Sequence, residues 1–171
     1  STRAAAVEAL GAAHGEADYV QFEGRFRGSG EEIERRLARY VPLLRDVGEV
    51  LDLGCGRGEA LDLLGRSGIA ARGVDTSERM VEICRDRGLR AEVGDAVDAL
   101  SRAAEGSLGG VVSFHVVEHL PPATVERLVR LAFRALAPGG VLVLETPNPL
   151  SLVVAARNFW LDPTHRRPIH P

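Results

Sequence analysis

Val50-Leu51-Asp52-Leu53-Gly54-Cys55-Gly56-Arg57-Gly58 is the stretch on which the fold turns. A short apolar strand pattern runs into three glycines at alternate positions, and a helical pattern starts directly after Gly58. Glycine lets such a turn take positive φ and lets a ligand approach bare backbone. Asp75 stands 21 residues after Gly54, at the end of the next strand pattern. A carboxylate there can accept hydrogen bonds from two ribose hydroxyls. Ser77 follows, placed to cap the next helix. A glycine loop alone is a weak signal. Strand, loop, helix, strand and acid in that order point to a nucleoside ligand.

The same alternation extends in both directions. Strands are expected at 49–53, 70–74, 89–93, 110–114 and 140–145, with helices at about 58–66, 77–87, 95–104 and 122–136. The last helix has Pro122 in its first turn, one apolar face (Val125, Leu128, Val129, Ala132, Phe133, Leu136), and Pro138-Gly139-Gly140 as its stop. Upstream, Ile33, Leu37, Tyr40, Val41 and Leu44 give helical spacing over Glu31–Arg45. Nearly unbroken apolar strands such as Gly140-Val141-Leu142-Val143-Leu144 imply a sheet buried on both faces. The expected fold is α/β: a Rossmann-like, doubly wound, mainly parallel sheet, with ligands beyond the carboxyl ends of its strands.

Spacing selects among nucleosides. A dinucleotide loop reads G-x-G-x-x-G, but here the third glycine comes one place early and Glu59 occupies the expected position. A carboxylate at a helix N-terminus repels a pyrophosphate. The pattern D-x-G-x-G-x-G instead resembles the first motif of class I S-adenosylmethionine (SAM) methyltransferases, whose ligand carries no phosphate. Val93-Gly94-Asp95-Ala96 ends the third strand where family members bind the adenine amino group with an acid. Ser113-Phe114-His115-Val116-Val117-Glu118-His119-Leu120 is similar to the family's "EHL" segment, and Leu136-Ala137-Pro138-Gly139-Gly140 to its "L-x-P-G-G". The resemblance covers residues 31–146 in order. It implies SAM as cofactor, S-adenosylhomocysteine as product, and a cofactor site of Asp52, Gly54, Cys55, Gly56, Asp75, Thr76, Asp95, Ala96 and His115. The family's sixth and seventh strands are not found, which is expected of a chain cut from something longer.

A narrower resemblance lies outside that core. Phe22-Glu23-Gly24-Arg25-Phe26-Arg27-Gly28-Ser29, Glu145-Thr146-Pro147-Asn148-Pro149 and Asn158-Phe159-Trp160-Leu161-Asp162-Pro163-Thr164-His165 look like bacterial methyltransferases associated with glycosyltransferases and surface polysaccharide synthesis. Pro168-Ile169-His170-Pro171 closes that pattern. This implies a sugar or glycan-linked hydroxyl as acceptor, and is compatible with association with glycosyltransferases and with a homodimer. Three segments follow: an arm over 1–30, a SAM-binding core over 31–146, and an acceptor-side segment over 147–171. Gln21, Arg25 and Arg27 of the arm are placed to reach the methionine carboxylate, a group that arginine suits.

For the acceptor, His115, Glu118 and His119 have i, i+3, i+4 spacing, so one helical turn would put them on one face. His119 is the candidate base for a hydroxyl proton, with Glu118 orienting it and His165 as the substitute. The same triplet is spaced to hold a divalent metal. His115 in place of an acidic residue favours a softer ion or none, and the expectation is none. H-x-x-E-H also occurs in inverted zinc peptidases, but here it follows a SAM-type strand and has no evident distal ligand. Arg157, Arg166, Arg167 and His170, clustered around Phe159 and Trp160, suit a carbohydrate or anionic acceptor.

Composition sets the outer limits. The 171 residues are 45% apolar and 26% charged, as in a soluble single domain. A net charge of -3 gives no basic surface for nucleic acid. All 21 basic residues are Arg, so a Walker phosphate loop and a lysine Schiff base are excluded. Cys55 and Cys84 make neither a disulfide framework nor a tetrahedral zinc site. No apolar run approaches the ~20 residues of a transmembrane helix, and a cytoplasmic location is expected. Three alternatives stay open: a quinone-type O-methyltransferase, a dinucleotide oxidoreductase, and a non-catalytic module that binds SAM or a partner.

Overall fold

The computed structural model describes residues 30–162 and 164–170. The arm, with Gln21, Arg25 and Arg27, lies outside them up to residue 29. Five strands, β1 (Val50–Leu53), β2 (Ala71–Asp75), β3 (Ala91–Val93), β4 (Leu108–Phe114) and β5 (Leu136–Glu145), form one sheet in the order β3-β2-β1-β4-β5. Every pairing is parallel. The helices are α1 (Gly30–Leu37), α2 (Val41–Leu44), α3 (Glu59–Arg66), α4 (Glu78–Asp86), α5 (Ala96–Arg102), α6 (Pro122–Ala135) and α7 (Leu152–Ala156). This is the expected doubly wound architecture.

β1 is central and buried along its whole length, and its alternate residues feed two cores. Leu51 and Leu53 pack with Val74, Val111, Leu100 of α5, and Leu128 and Ala132 of α6. On the opposite face Val50, Val112 and Val143 meet Leu44 and Leu64, and Ile33 and Leu37 of α1 extend that layer over Ala60 and Leu63. Each such aliphatic side chain contributes about 1.5–3 kcal/mol on burial. The sheet thereby becomes a rigid plate, and the chemistry sits on the loops leaving its carboxyl edge.

Two boundaries differ from expectation for definite reasons. The helix expected over 31–45 is interrupted by a 3-10 turn at Ala38–Tyr40. Pro42 causes this, because it has no N–H for the Ala38 carbonyl and its ring crowds that oxygen. β5 begins at Leu136 rather than at 140: α6 stops at Ala135, and the Pro138-Gly139-Gly140 segment is carried inside the strand. The register accordingly jumps from Leu108↔Leu136 to Gly110↔Val141, a bulge that Gly139 permits with φ +81°.

Candidate active site

At the carboxyl end of β1 the chain turns through Gly54, Gly56 and Gly58, all at positive φ. Gly54 N–H donates to the Val74 carbonyl at 2.8 Å, which ties the loop to β2. A Cβ on Gly54 would collide with Val116 from the loop after β4, so glycine is required there by close approach as well as by φ. Asp75 closes the frame: Oδ2 accepts Gly56 N–H at 2.8 Å and Oδ1 accepts Ser77 N–H at 2.9 Å. Below the loop, the Cys84 thiol donates to the Gly56 carbonyl at 3.3 Å, and Cys55 and Cys84 share a small buried cluster with Leu61. Thr76 is exposed beside Asp75. Asp95 caps α5, accepting Val97 N–H at 2.8 Å and Asp98 N–H at 3.2 Å, both on Oδ1, while Ala96 opens the helix.

A cleft of about 380 Å³, counted to its open mouth, lies between this loop and α1. Asp52, Gly54, Cys55, Phe114 and His115 line it from the sheet, and Arg36 from α1. A loop crowded at Gly54 and Gly58, an acid at the end of β2 and another just beyond β3, and a cation and a carboxylate in the cleft suit a ligand of SAM's chemistry.

His115 leaves β4 at φ +60°, unusual for a non-glycine residue. This turns its ring between two carboxylates, with Nδ1 3.2 Å from Glu118 Oε1 and Nε2 3.3 Å from Glu145 Oε1. Burial opposes charge on His115, but the contacts to Glu118 and Glu145 outweigh it and its pKa is raised. Glu118 is fully buried; burial pushes its carboxyl up, and the His115 contact, helped by the local backbone and by His119, more than offsets this, leaving its pKa below the ordinary value. Glu145 in turn accepts the Tyr40 hydroxyl at 2.7 Å and pairs with Arg36 at 3.1 Å.

The expected one-faced triplet is divided. Val117–His119 is a 3-10 turn, and His115 precedes it in left-handed backbone. The His119 ring faces His165 instead, with centroids 4.7 Å apart. Thr164, not Glu118, orients it: His119 Nδ1 lies 2.9 Å from Thr164 Oγ1, whose hydroxyl donates to Asp162 Oδ1. Burial lowers the pKa of His119. His165 Nδ1 meets the Phe159 carbonyl at 2.6 Å, and its Nε2 is 3.9 Å from Glu118 Oε1. Arg166 fastens the two segments, donating its backbone N–H to the Glu118 carbonyl and Nε to the His119 carbonyl at 3.0 Å. Phe159 is core and Trp160 is exposed, with its indole N–H on the Ala155 carbonyl. Arg36, Tyr40 and Glu145 were not singled out from the sequence. The i+4 step from Arg36 to Tyr40 was a signal available in advance; Glu145 was legible only as a strand end.

A family profile described as a methyltransferase domain matches residues 24–170. The chain belongs to this methyltransferase family. The SAM-dependent methyltransferase structure from Archaeoglobus fulgidus is 40% identical, with TM-score 0.85 over 90% of this chain and 68% of that one. A probable SAM-dependent methyltransferase of Mycolicibacterium smegmatis is 33% identical over 122 residues, 71% of this chain and 46% of that protein. A ubiquinone biosynthesis O-methyltransferase of Xanthomonas oryzae is 33% identical over 104 residues, 58% of this chain and 43% of that protein. The chain spans about half the length of these two curated relatives. Methyltransferase fold and SAM as cofactor therefore stand, and the dinucleotide reading falls away. No helix among the described residues is long and apolar enough to cross a membrane.

Proposed function

We propose that this chain transfers a methyl group from SAM to a hydroxyl oxygen, with a sugar or glycan-linked hydroxyl as the acceptor. The observation that carries the reading is the Asp75-braced glycine loop opening into a cleft shared with His115, backed by the His119–His165 pair. Bound there, SAM supplies a sulfonium methyl whose passage to oxygen is an in-line displacement. The chain's own part is to hold the reactants in line, which can supply a large share of the rate, and to receive the hydroxyl proton. His119 and His165 are suited to the second task. Each has its Nδ1 engaged by an oxygen, which leaves Nε2 as the nitrogen to carry the lone pair. Glu118 is built into the wall beside them, holding His115 rather than His119.

Oxygen as the accepting atom draws support from the relative named an O-methyltransferase of ubiquinone biosynthesis. The carbohydrate class rests on the aromatic and arginine-rich segment from Arg157 to Arg167, where Trp160 offers an exposed ring face. A phenolic, quinol-type acceptor is the second reading, favoured by the same relative. Incubation with methyl-labelled SAM and two acceptor panels, nucleotide sugars with oligosaccharides and ortho-dihydroxyphenols, decides between them. Label in an O-methyl sugar is expected. Label confined to phenols would move the acceptor to the second class, and SAM binding without transfer to either would make the chain a binding module.

A further inference from the structure

We propose that Glu118, His119 and His165 form a site for one divalent transition-metal ion of the zinc type. One ligand atom from each lies within 4.8 Å of the others. The sequence brings Glu118 and His119 together on one turn, but His165 is added by the fold, through the two hydrogen bonds from Arg166 to the backbone of that turn. This set is not the triplet with His115 that the spacing suggested: His115 points its ring between Glu118 and Glu145 and is excluded from it.

Two features separate the trio from a chance cluster. Glu118 is fully buried, and its Oε2 has no hydrogen-bond partner among the described residues. Leaving a buried carboxylate oxygen unsatisfied costs more than leaving a neutral acceptor so, and a cation held by this carboxylate, whose Oε1 lies 3.9 Å from His165 Nε2, would relieve that cost. Both histidines also have the wiring of ligands. A metal-bound imidazole characteristically donates its other ring N–H to an oxygen, which fixes the tautomer. His165 Nδ1 is placed on the Phe159 carbonyl at 2.6 Å, and His119 Nδ1 on Thr164 Oγ1 at 2.9 Å. The Thr164 hydroxyl is itself committed as a donor to Asp162, so it receives the His119 proton. Each Nε2 is then a bare lone pair, and His115 steadies Glu118 Oε1 from behind.

Two imidazoles and one carboxylate suit zinc, cobalt(II), iron(II) or manganese(II) better than magnesium or calcium, which prefer oxygen donors. Three protein donors leave a coordination position open, as in catalytic zinc sites. This rests on the hydroxyl-transfer reading for its purpose. With an ion held on both Nε2 atoms the imidazoles serve as its ligands rather than as the base, and a hydroxyl at the open position would release its proton to solvent more readily. The site itself stands on its own geometry.

Zinc and cobalt(II) binding to the full chain, stripped with chelator, tests this. One equivalent of zinc per chain is expected by calorimetry, with visible absorption on cobalt substitution. His119→Ala and His165→Ala should each weaken zinc by about 100-fold or more, and Thr164→Val by about 10–100-fold, the usual effect of removing a ligand's hydrogen-bond partner. His170→Ala should leave it unchanged. SAM affinity, measured on every variant, shows that the fold survives each substitution. Saturable zinc binding lost in both histidine variants supports the site whether or not methyl transfer is detected. A chain that binds SAM but takes up no zinc, or zinc binding unchanged in both variants, would overturn it while leaving the transferase reading intact.

Discussion

Asp75 Oδ2 accepts the Gly56 N–H at 2.8 Å, so the acid at the end of β2 holds the glycine loop that leaves β1. One carboxylate thus fixes the loop's shape on both oxygens, and its remaining lone pairs are the ones expected to accept from a ribose. Asp75→Ala should weaken SAM by about 1.5–3 kcal/mol, the range for hydrogen bonds to a charged group. Asp75→Asn keeps a carbonyl oxygen but exchanges the other acceptor for a donor, and should fall between the two. Calorimetry on the three proteins checks the order. An alanine variant with unchanged affinity would remove Asp75 from the cofactor site.

Gly54 is constrained twice, by φ +74° and by Val116 standing where a Cβ would go. Gly54→Ala should lower both the melting temperature and SAM affinity, since left-handed backbone costs an L-residue roughly 1–2 kcal/mol before any clash. Adding Val116→Ala removes the γ-methyl that the new Cβ would meet. The double variant should therefore recover part of the melting temperature, with the backbone share remaining. Strictly additive losses in the pair would mean that Val116 is not what confines the loop.

Tyr40 is held in its neutral form by burial and by the Glu145 carboxylate that accepts its hydroxyl, and its pKa is pushed up to about 12. A folded value above the ordinary 10.0 gives stability that is fully present below pH 10 and is lost as pH rises through about 12. Ultraviolet titration in a Tyr19→Phe background isolates the transition. Glu145→Gln should move it part of the way back toward 10.0, because burial remains. A Tyr40 transition near 10.0 in the unsubstituted site would contradict the hydrogen bond.

The plate of the fold was legible because its signals are local and periodic. β1, its three glycines and Asp75 appear in the sequence in the order in which they are used, and the apolar runs of β4 and β5 signal a parallel sheet. β5, however, outermost among the described strands, is mostly only half-buried where its sequence suggested burial on both faces. The boundaries that shifted, at Pro42 and at the bulge carrying Gly139, depend on single residues whose effect is steric and has no period. The acceptor side was legible in composition and not in arrangement. Helical spacing placed His115 with Glu118 and His119, but a positive φ at His115 and a 3-10 turn redirected the rings. Nothing local in the sequence specifies that His165, 46 positions beyond His119, docks against it. That contact is made by Arg166 reaching backbone carbonyls, and backbone acceptors have no sequence signature.

The two imidazoles are expected to work as a functional pair. His119 and His165 face each other at 4.7 Å between ring centroids, so a substrate hydroxyl brought to one is close to both. Removing a group that manages the acceptor's proton lowers turnover by roughly 10²–10⁴-fold. His119→Ala and His165→Ala should each show a loss in that range in kcat, with SAM affinity close to that of the unsubstituted chain, because neither ring lines the cofactor cleft. If the rings act as one unit, on a shared proton or a shared ion, the double variant should lose little more than the worse single variant, a non-additive result. Turnover that falls only in His165→Ala would assign the proton to the C-terminal segment alone. Near-normal turnover in both would mean that holding the reactants in line suffices, and neither histidine would then belong to the reaction.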